Sequence, residues 1–179
     1  MNEIRTERLL LRPATTLDLP AFHSILSDPG ATAYWSTPAH DSLEQSRCWL
    51  QGMLDIAVGE GEDFAVEHKG RVIGKAGFYR FPEIGFIFHP AVWGRGFAAE
   101  ALRPVLDRAF SLHHLKWVEA DVDPCNMPSL KLLSKLGFRE VGRRARTWLV
   151  GNKWCDSVDL CLSRASWSAT ISTSSGRRR

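Results

Sequence analysis

The segment that decides the fold is FIFHPAVWGRGFAAE, residues 86–100 of the 179-residue chain. A short apolar run, Phe86 to Phe88, leads into a loop with two glycines, Gly94 and Gly96, and a helical pattern then begins. The first backbone N–H groups of a helix have no acceptor within it, and the helix dipole adds positive potential at that end. Because glycine lets a ligand approach the backbone closely, the segment predicts a site for a pyrophosphate.

A dinucleotide-binding fingerprint is one alternative for this loop, because Gly94, Gly96 and Ala99 also fit the pattern G-x-G-x-x-A. That fingerprint requires a strand that runs directly into the first glycine, within a doubly wound parallel sheet. Here five residues, His89 to Trp93, separate the strand from Gly94, and the preceding elements favour antiparallel pairing. We therefore reject NAD or FAD as the ligand.

The elements before the loop have the pattern of an antiparallel meander. Three strand predictions follow one another through short connections, at residues 64–67, 72–79 and 84–88. A first strand is predicted at 8–12, and helices are predicted at 19–26 and 42–58.

After the loop, helices and strands alternate. A helix is predicted from Gly96 to about Leu112, in which Pro104 is expected to weaken or kink one turn. The remaining elements are strands at 117–122, 138–141 and 158–162 and a short helix at 128–136. The order predicts an α+β fold, with a mostly antiparallel sheet of six to seven strands and about four helices on its faces.

The chain is predicted to form one domain, residues 1–162, followed by a disordered tail. Residues 163–179 are rich in Ser, Thr and Arg and offer few apolar side chains for burial. Loss of this tail is expected to leave stability intact.

Composition and charge exclude several classes of protein. The net charge is +3, and the three terminal arginines, Arg177 to Arg179, account for all of it, so no nucleic-acid footprint is expected. The four cysteines form no C-x-x-C pair, which predicts neither a zinc site nor a disulfide framework and suggests a reducing, cytoplasmic location. Neither a signal sequence nor an apolar run of membrane-spanning length is present, so no membrane association is expected.

Three blocks of sequence resemble a known family. Residues 93–98, WGRGFA, resemble the acetyl-CoA signature of the GNAT superfamily, [Gln/Arg]-x-x-Gly-x-[Gly/Ala], although Trp93 departs from its first position. Residues 6–13, TERLLLRP, and 123–138, with Asp123-Pro124-x-Asn126-x-x-Ser129, are similar to the ribosomal-protein N-acetyltransferase branch. The resemblance implies the GNAT fold, whose fourth and fifth strands splay apart around the acetyl-CoA thioester.

The resemblance implies which residues bind acetyl-CoA as the co-substrate. Backbone groups of Ile87 and Phe88 would pair with the pantetheine arm, as an added strand does. Loop and helix residues would hold the pyrophosphate, namely Trp93, Gly94, Arg95, Gly96, Phe97, Ala98 and Ala99. Asn126 and Ser129 would contact the pantetheine or the acceptor amine.

The resemblance also implies catalytic roles. Some members protonate the leaving CoA thiolate with a group at the position of Ser129, and others use a later tyrosine. The only tyrosines, Tyr34 and Tyr79, lie elsewhere, which favours Ser129. A cap at the start of the short helix is the alternative role for Asn126 and Ser129, and the two roles can coexist.

The implied reaction is direct attack of a neutral amine on the thioester in a ternary complex. An amine is mostly protonated at neutral pH, so a base is needed, and Glu83 is the first candidate before Asp121 and Asp123. A ping-pong reaction through Cys125 lacks an identifiable histidine partner, so we interpret Cys125 as a small buried side chain.

The acceptor is expected to lie against the first two helices and their connection, where Tyr34 and Trp35 are the candidate substrate-binding residues. The pattern predicts an N-acetyltransferase for a primary amine, either a small molecule or a protein N-terminus. The alternative is a GNAT-fold protein that binds acyl-CoA as a sensor or interaction module and turns over poorly. A preference for another acyl chain is also open.

Overall fold

A computed structural model of the chain describes residues 3–175, and side chains as far as residue 169. It contains one eight-stranded sheet, in the order β1-β2-β3-β4-β5-β6-β8-β7. The strands are β1 Ile4–Arg5, β2 Leu10–Arg12, β3 Glu62–His68, β4 Arg71–Arg80, β5 Glu83–Phe88, β6 Trp117–Val122, β7 Arg139–Val150 and β8 Lys153–Ser163. The α-helices are α1 Leu19–Leu26, α2 Leu43–Leu54, α3 Phe97–Ser111, α4 Met127–Lys135 and α5 Arg164–Ser175.

The predicted meander is confirmed, because β3, β4 and β5 pair antiparallel in sequence order. The turn between β3 and β4 places Lys69 and Gly70 at positive φ, 51° and 76°, as a tight hairpin requires. Side chains alternate between the two faces of the sheet. Phe64, Val66 and Phe78 join the core under α3, whereas Ala65 and Ile87 join the core under α1 and α2.

Helix α3 runs continuously through Pro104 to Ser111, close to the predicted end at about Leu112. Its buried stripe includes Ala101, Leu102, Val105 and Leu106, each at most 1% exposed. Burial of this stripe against the sheet outweighs the hydrogen bond that proline removes, which costs about 3 kcal/mol.

The predicted α+β class is confirmed, with eight strands and five α-helices in the described residues instead of six to seven strands and about four helices. The final hairpin is much longer than the strand predictions at 138–141 and 158–162. The middle of β7 is mostly exposed, so it lacks the apolar alternation by which a strand is recognised. Cross-strand contacts stabilise it instead, such as the ion pair between Arg144 and Asp159 at 2.6 Å.

The prediction of a disordered tail is wrong for Arg164–Ser175, which form helix α5. Trp167 is only 3% exposed, packs with its ring 6.4 Å from that of Phe110, and donates a hydrogen bond from Nε1 to Asp107 Oδ1 at 2.8 Å. One large aromatic side chain therefore docks a segment whose average composition is polar, and the domain extends beyond residue 162. Residues 176–179 of the predicted tail lie outside the described residues.

No helix among residues 3–175 combines the length and the apolar character needed to cross a membrane.

Replacement of Trp167 by alanine tests the role of α5 in the domain. We expect the free energy of unfolding to fall by about 3 kcal/mol, because a buried aromatic side chain and its hydrogen bond are lost. Urea unfolding monitored by circular dichroism measures the change. The matched control is Trp117→Ala, since Trp117 is 44% exposed. Equal stability of both variants would contradict the docking of α5.

Candidate functional site

The sheet opens between β5 and β6. These strands are parallel neighbours and share a single paired position, Glu83 opposite Glu119. Beyond that position β5 continues to Phe88 with β4 as its partner, and no strand among residues 3–175 pairs with its other edge. An edge of free backbone N–H and C=O groups can take an extended ligand as an added strand. The strands predicted to splay are therefore the ones that separate.

Ile87 and Phe88 lie on this open edge, as predicted. Their side chains belong to the core, since Ile87 is 4% and Phe88 6% exposed. Along β5 the backbone groups point alternately to β4 and to the open edge, and the Ile87 carbonyl faces Gly74 on β4, so the groups at the open edge are those of Phe88. The indole Nε1 of Trp93 donates a hydrogen bond to the Phe88 carbonyl at 2.8 Å, which fixes the glycine loop against the end of β5.

The glycine loop has the conformation that an anion site needs. Gly94 and Gly96 have φ of 71° and 80°, in the left-handed region that favours glycine. The first helical hydrogen bond of α3 runs from Glu100 N to Gly96 O at 3.0 Å. The amides of Phe97, Ala98 and Ala99 precede it and have no backbone acceptor among the described residues. These N–H groups and the positive end of the helix can hold a phosphate.

A clamp from the N-terminal segment holds this loop, and the sequence analysis did not predict it. Glu100 Oε1 accepts hydrogen bonds from Thr6 Oγ1 at 2.6 Å and from Arg8 N at 2.8 Å. The Arg8 guanidinium pairs with Glu100 Oε2 at 2.6 Å and also donates to the Arg95 carbonyl at 3.1 Å. Although partial burial opposes it, these hydrogen bonds hold the pKa of Glu100 below its usual range. The only sequence signal was the resemblance of residues 6–13.

Phe97 lies between two cations at this loop. The guanidinium carbons of Arg8 and Arg95 lie 4.4 and 4.9 Å from its ring centroid. The Arg95 side chain, which was predicted to contact the ligand through its charge, is therefore held against the ring of Phe97. Positive charge is concentrated where the helix dipole also favours an anion.

A cleft of about 780 Å³ lies beside the open end of the sheet. Aromatic side chains form much of its wall, namely Tyr34, Trp35, Trp49, Tyr79 and Trp148. The candidate substrate-binding residues Tyr34 and Trp35 both line it, and so do Glu83, Asn126 and Ser129. The glycine loop is not part of its lining, which instead includes residues of both strands at the opening, such as Gly85 and Ala120.

Three carboxylates proposed as bases line the cleft, and they differ in their partners. Asp121 Oδ2 accepts hydrogen bonds from Arg144 and from the indole of Trp148, both at 3.0 Å. Asp123 Oδ1 accepts the backbone N–H of Cys125 at 2.7 Å. The side-chain carboxylate of Glu83 has no hydrogen-bond partner among the described residues.

The environment of Glu83 favours its protonated form. The side chain is open to solvent at the cleft, but the walls around it displace part of its hydration, and this desolvation raises its pKa. The negative charges of Asp121 and Glu119 raise the pKa further, against smaller opposite effects of Arg144 and Lys75. A free carboxylate with a raised pKa has the properties of a general base.

Asn126 and Ser129 occupy the start of α4. Asn126 is the N-cap, and its Oδ1 accepts the backbone N–H of Ser129 at 3.2 Å, so the capping role is confirmed for Asn126 and not for the Ser129 side chain. The Asn126 amide nitrogen and the Ser129 hydroxyl have no partner within the described part of the chain. Both side chains are half-buried in the cleft wall and remain available to a ligand.

Cys125 is exposed, so its interpretation as a buried side chain is wrong. It lies in the turn between β6 and α4, where its backbone N–H bonds to Asp123 and its side chain points away from the core. Among residues 3–175, no group of three His, Cys, Asp or Glu side chains is arranged to hold a metal ion.

Two cleft residues were missed altogether. Asp63 on β3 and Lys75 on β4 form an ion pair of 2.8 Å in the cleft wall, although both side chains are buried. A lysine in the apolar strand 72–79 was the available signal, because a charged residue at a buried strand position conflicts with the surrounding pattern.

Comparison with known proteins agrees with this geometry. The family profile described as Acetyltransferase (GNAT) domain matches residues 8–139. A Bacillus licheniformis protein named uncharacterized N-acetyltransferase p20 is 34% identical over 151 residues, which cover 79% of this chain and 85% of that protein.

Two solved structures with the same fold are named for different acceptors. The spermidine N-acetyltransferase of Vibrio cholerae in complex with CoA and spermine has a TM-score of 0.79 and 19% identity, covering 91% of this chain and 99% of its own. The ribosomal-protein-S5-alanine acetyltransferase of Vibrio fischeri also has a TM-score of 0.79, with 20% identity and coverage of 93% and 99%. The fold alone does not select the acceptor, and the expected ribosomal-protein branch stays a prediction. The profile match and the relative together place the chain in the GNAT acetyltransferase family.

Proposed function

We propose that this chain transfers the acetyl group of acetyl-CoA to a primary amine, by direct attack within a ternary complex. The observation that carries the proposal is the opening between β5 and β6, with the glycine loop after the end of β5 and an aromatic, acidic cleft lined by residues of both strands. Two substrates can meet at this opening.

Acetyl-CoA would lie along the open edge of β5. The amides of Arg95 to Ala99 would bind its pyrophosphate, and the backbone of Ile87 and Phe88 would pair with the pantetheine arm. Support comes from the free helix N-terminus and from the unpaired strand edge. The clamp of Arg8 on Glu100 and Arg95 keeps the loop in this conformation before the ligand arrives.

Glu83 would accept the proton that the amine loses. The amine nitrogen attacks the thioester carbonyl, the C–N bond forms, the C–S bond breaks, and the leaving thiolate takes up a proton. Of the three candidate carboxylates, Glu83 alone has no hydrogen-bond partner among the described residues, and its pKa is raised. The negative cleft also attracts the cationic form of the amine from solution.

Ser129 would supply the proton to the thiolate, and the Asn126 amide would orient the pantetheine or the amine. Both groups lie in the cleft wall at the start of α4, close in sequence to the end of the splayed strand β6. The cap uses Asn126 Oδ1 and the Ser129 backbone, which leaves the amide nitrogen and the hydroxyl free for these roles.

Gly96→Glu tests the glycine loop. We expect the dissociation constant of acetyl-CoA to rise at least about 100-fold, or about 2.7 kcal/mol, because a carboxylate would occupy the phosphate position. Isothermal titration calorimetry with acetyl-CoA and with NADH measures the effect. Gly59→Glu is the matched control, since Gly59 also has a positive φ of 89° but has no neighbouring atom within 4 Å. Unchanged affinity in Gly96→Glu would place the phosphate elsewhere.

Glu83→Gln tests the base. We expect kcat to fall by roughly 100-fold, a typical loss for a general base. In the parent chain, kcat should rise with pH through the raised pKa of Glu83, since only the ionised carboxylate accepts a proton, and this limb should disappear in the variant. Steady-state rates of CoA release measure this pH dependence. They are recorded from about pH 5 to about pH 9, between the usual pKa ranges of carboxyl groups and of amines. If Asp123→Asn removes the limb instead, Asp123 is the base.

Ser129→Ala separates proton donation from capping, because alanine keeps the backbone N–H that Asn126 accepts. We expect kcat to fall at least about tenfold, with little change in acetyl-CoA affinity or stability. Stopped assays of thiol release and thermal unfolding give both quantities. A normal kcat would restrict Ser129 to the helix cap. Acetyl-CoA binding without turnover of any amine would support the sensor or interaction module instead.

A further inference from the structure

The cleft contains a buried ion pair that the proposed reaction does not use. Asp63 and Lys75 have side chains that are 2% and 5% exposed, and Lys75 Nζ lies 2.8 Å from Asp63 Oδ2. Both residues line the cleft on the face of the sheet covered by α1 and α2. The Lys75 ammonium also lies 5.7 Å from the ring centroid of Trp35, a candidate substrate-binding residue.

Two glycines make the room for this pair. Asp63 is opposite Gly77 on β4, and Gly77 is opposite Gly85 on β5, so the three residues form one row across the sheet. A Cβ atom at Gly77 would lie 2.8 Å from Asp63 Oδ1 and closer still to the backbone of Glu62 and Asp63, and one at Gly85 would lie 3.4 Å from Lys75 Nζ. Side chains at these positions would displace the pair or fill this part of the cleft.

Stability does not explain the pair. Removal of two charges from water costs several kcal/mol for each ion, and apolar side chains of similar volume are often at least as stable. Asp63 shows the cost, because burial raises its pKa despite the neighbouring Lys75 ammonium. A buried pair in the wall of a cleft is therefore better explained by what the cleft binds.

The pair has unused hydrogen-bonding groups. Asp63 Oδ1 is buried without a donor in the described part of the chain. Lys75 uses one of its three ammonium hydrogens, on Asp63 Oδ2, and no second acceptor for it is found among residues 3–175. Two ammonium hydrogens of Lys75 and one carboxylate oxygen of Asp63 thus lie side by side in the wall without hydrogen-bond partners in the described part of the chain.

We propose that Asp63 and Lys75 form a subsite for a carboxamide next to the reactive amine of the acceptor. This inference rests on the proposed acetyl transfer and names the class of acceptor. The amide carbonyl would accept from Lys75, and the amide N–H would donate to Asp63. The pair is neutral as a unit, so a neutral group that offers both a donor and an acceptor matches it. A carboxylate or a second ammonium would lose its hydration without a net opposite charge in return.

The position of the pair limits the distance between amide and amine. Lys75 lies over Gly85, two residues after Glu83, where the splay begins. The amide would therefore be only a few bonds from the nitrogen that attacks the thioester. An α-amino amide has this arrangement, and it occurs both in small amino-acid amides and at the N-terminus of a peptide.

The test compares acceptors of the same shape. Alaninamide is paired with the alkylamine in which an isopropyl group replaces the carboxamide, and kcat/KM is measured for both. The variant Asp63→Leu/Lys75→Met removes both charges together, so that neither is left buried and unpaired. We expect the ratio of kcat/KM for alaninamide to that for the alkylamine to fall at least about tenfold, equivalent to about 1.4 kcal/mol. Any effect of Lys75 on Glu83 acts on both acceptors and cancels in the ratio.

Glu140→Gln/Arg143→Gln is the matched control, since it removes an exposed ion pair outside the cleft and should leave the ratio unchanged. Alanine and a diamine test the carboxylate and the second ammonium, and an alanine tripeptide amide distinguishes a peptide from a small amide. Preference for alanine or the diamine that depends on the pair would overturn the amide assignment. An unchanged ratio in Asp63→Leu/Lys75→Met would return the pair to a structural role.

Calorimetry of the same acceptors with the CoA-bound protein provides a readout that needs no turnover. Turnover of the alkylamine without a preference for the amide would refute the subsite and leave the proposed acetyl transfer intact. Absence of turnover with every amine would refute the acetyl transfer. In that case, tighter binding of alaninamide that is lost in the double variant would still support the subsite, and equal binding would refute it.

Discussion

The site depends on one interruption in the sheet. β5 and β6 meet at Glu83 and Glu119 and then separate, so β5 keeps β4 on one side and loses a partner on the other. An unpaired strand edge inside a sheet is costly unless something satisfies its backbone groups. The other elements of the site are arranged around this gap. Helix α3 starts after β5 with its first amides free, α4 brings two polar side chains to the cleft, and α2 with the connection before it forms part of the cleft wall.

The parts of the site that are continuous in sequence could be predicted. The glycine loop and the helix start are adjacent in the chain, and local conformation determines their geometry. Asn126 with Ser129 is a cap for the same reason. The α+β class followed from hydrophobic periodicity in β3, β4, β5 and α3, where one face is buried.

Long-range contacts could not be predicted. The clamp joins Arg8 to Glu100, which are 92 residues apart, and the Asp63–Lys75 pair depends on the register of two strands. The long β7–β8 hairpin lacked a signal because neither face of β7 is fully buried. α5 was missed because an average over a Ser-rich segment hides a single docked tryptophan. In each case the missing information is which residue, distant in sequence, makes the contact in the fold. A single sequence does not contain that information.

The aromatic wall of the cleft has a consequence for how the protein can be observed. The chain has seven tryptophans, and Trp35, Trp49 and Trp148 all face the same cleft. Indole emission responds to the polarity and quenching groups around it, so a large share of the intrinsic fluorescence originates where an acceptor would sit. The protein thus contains its own optical probe, and occupation of the cleft can be followed in the unlabelled chain, independently of any chemical step.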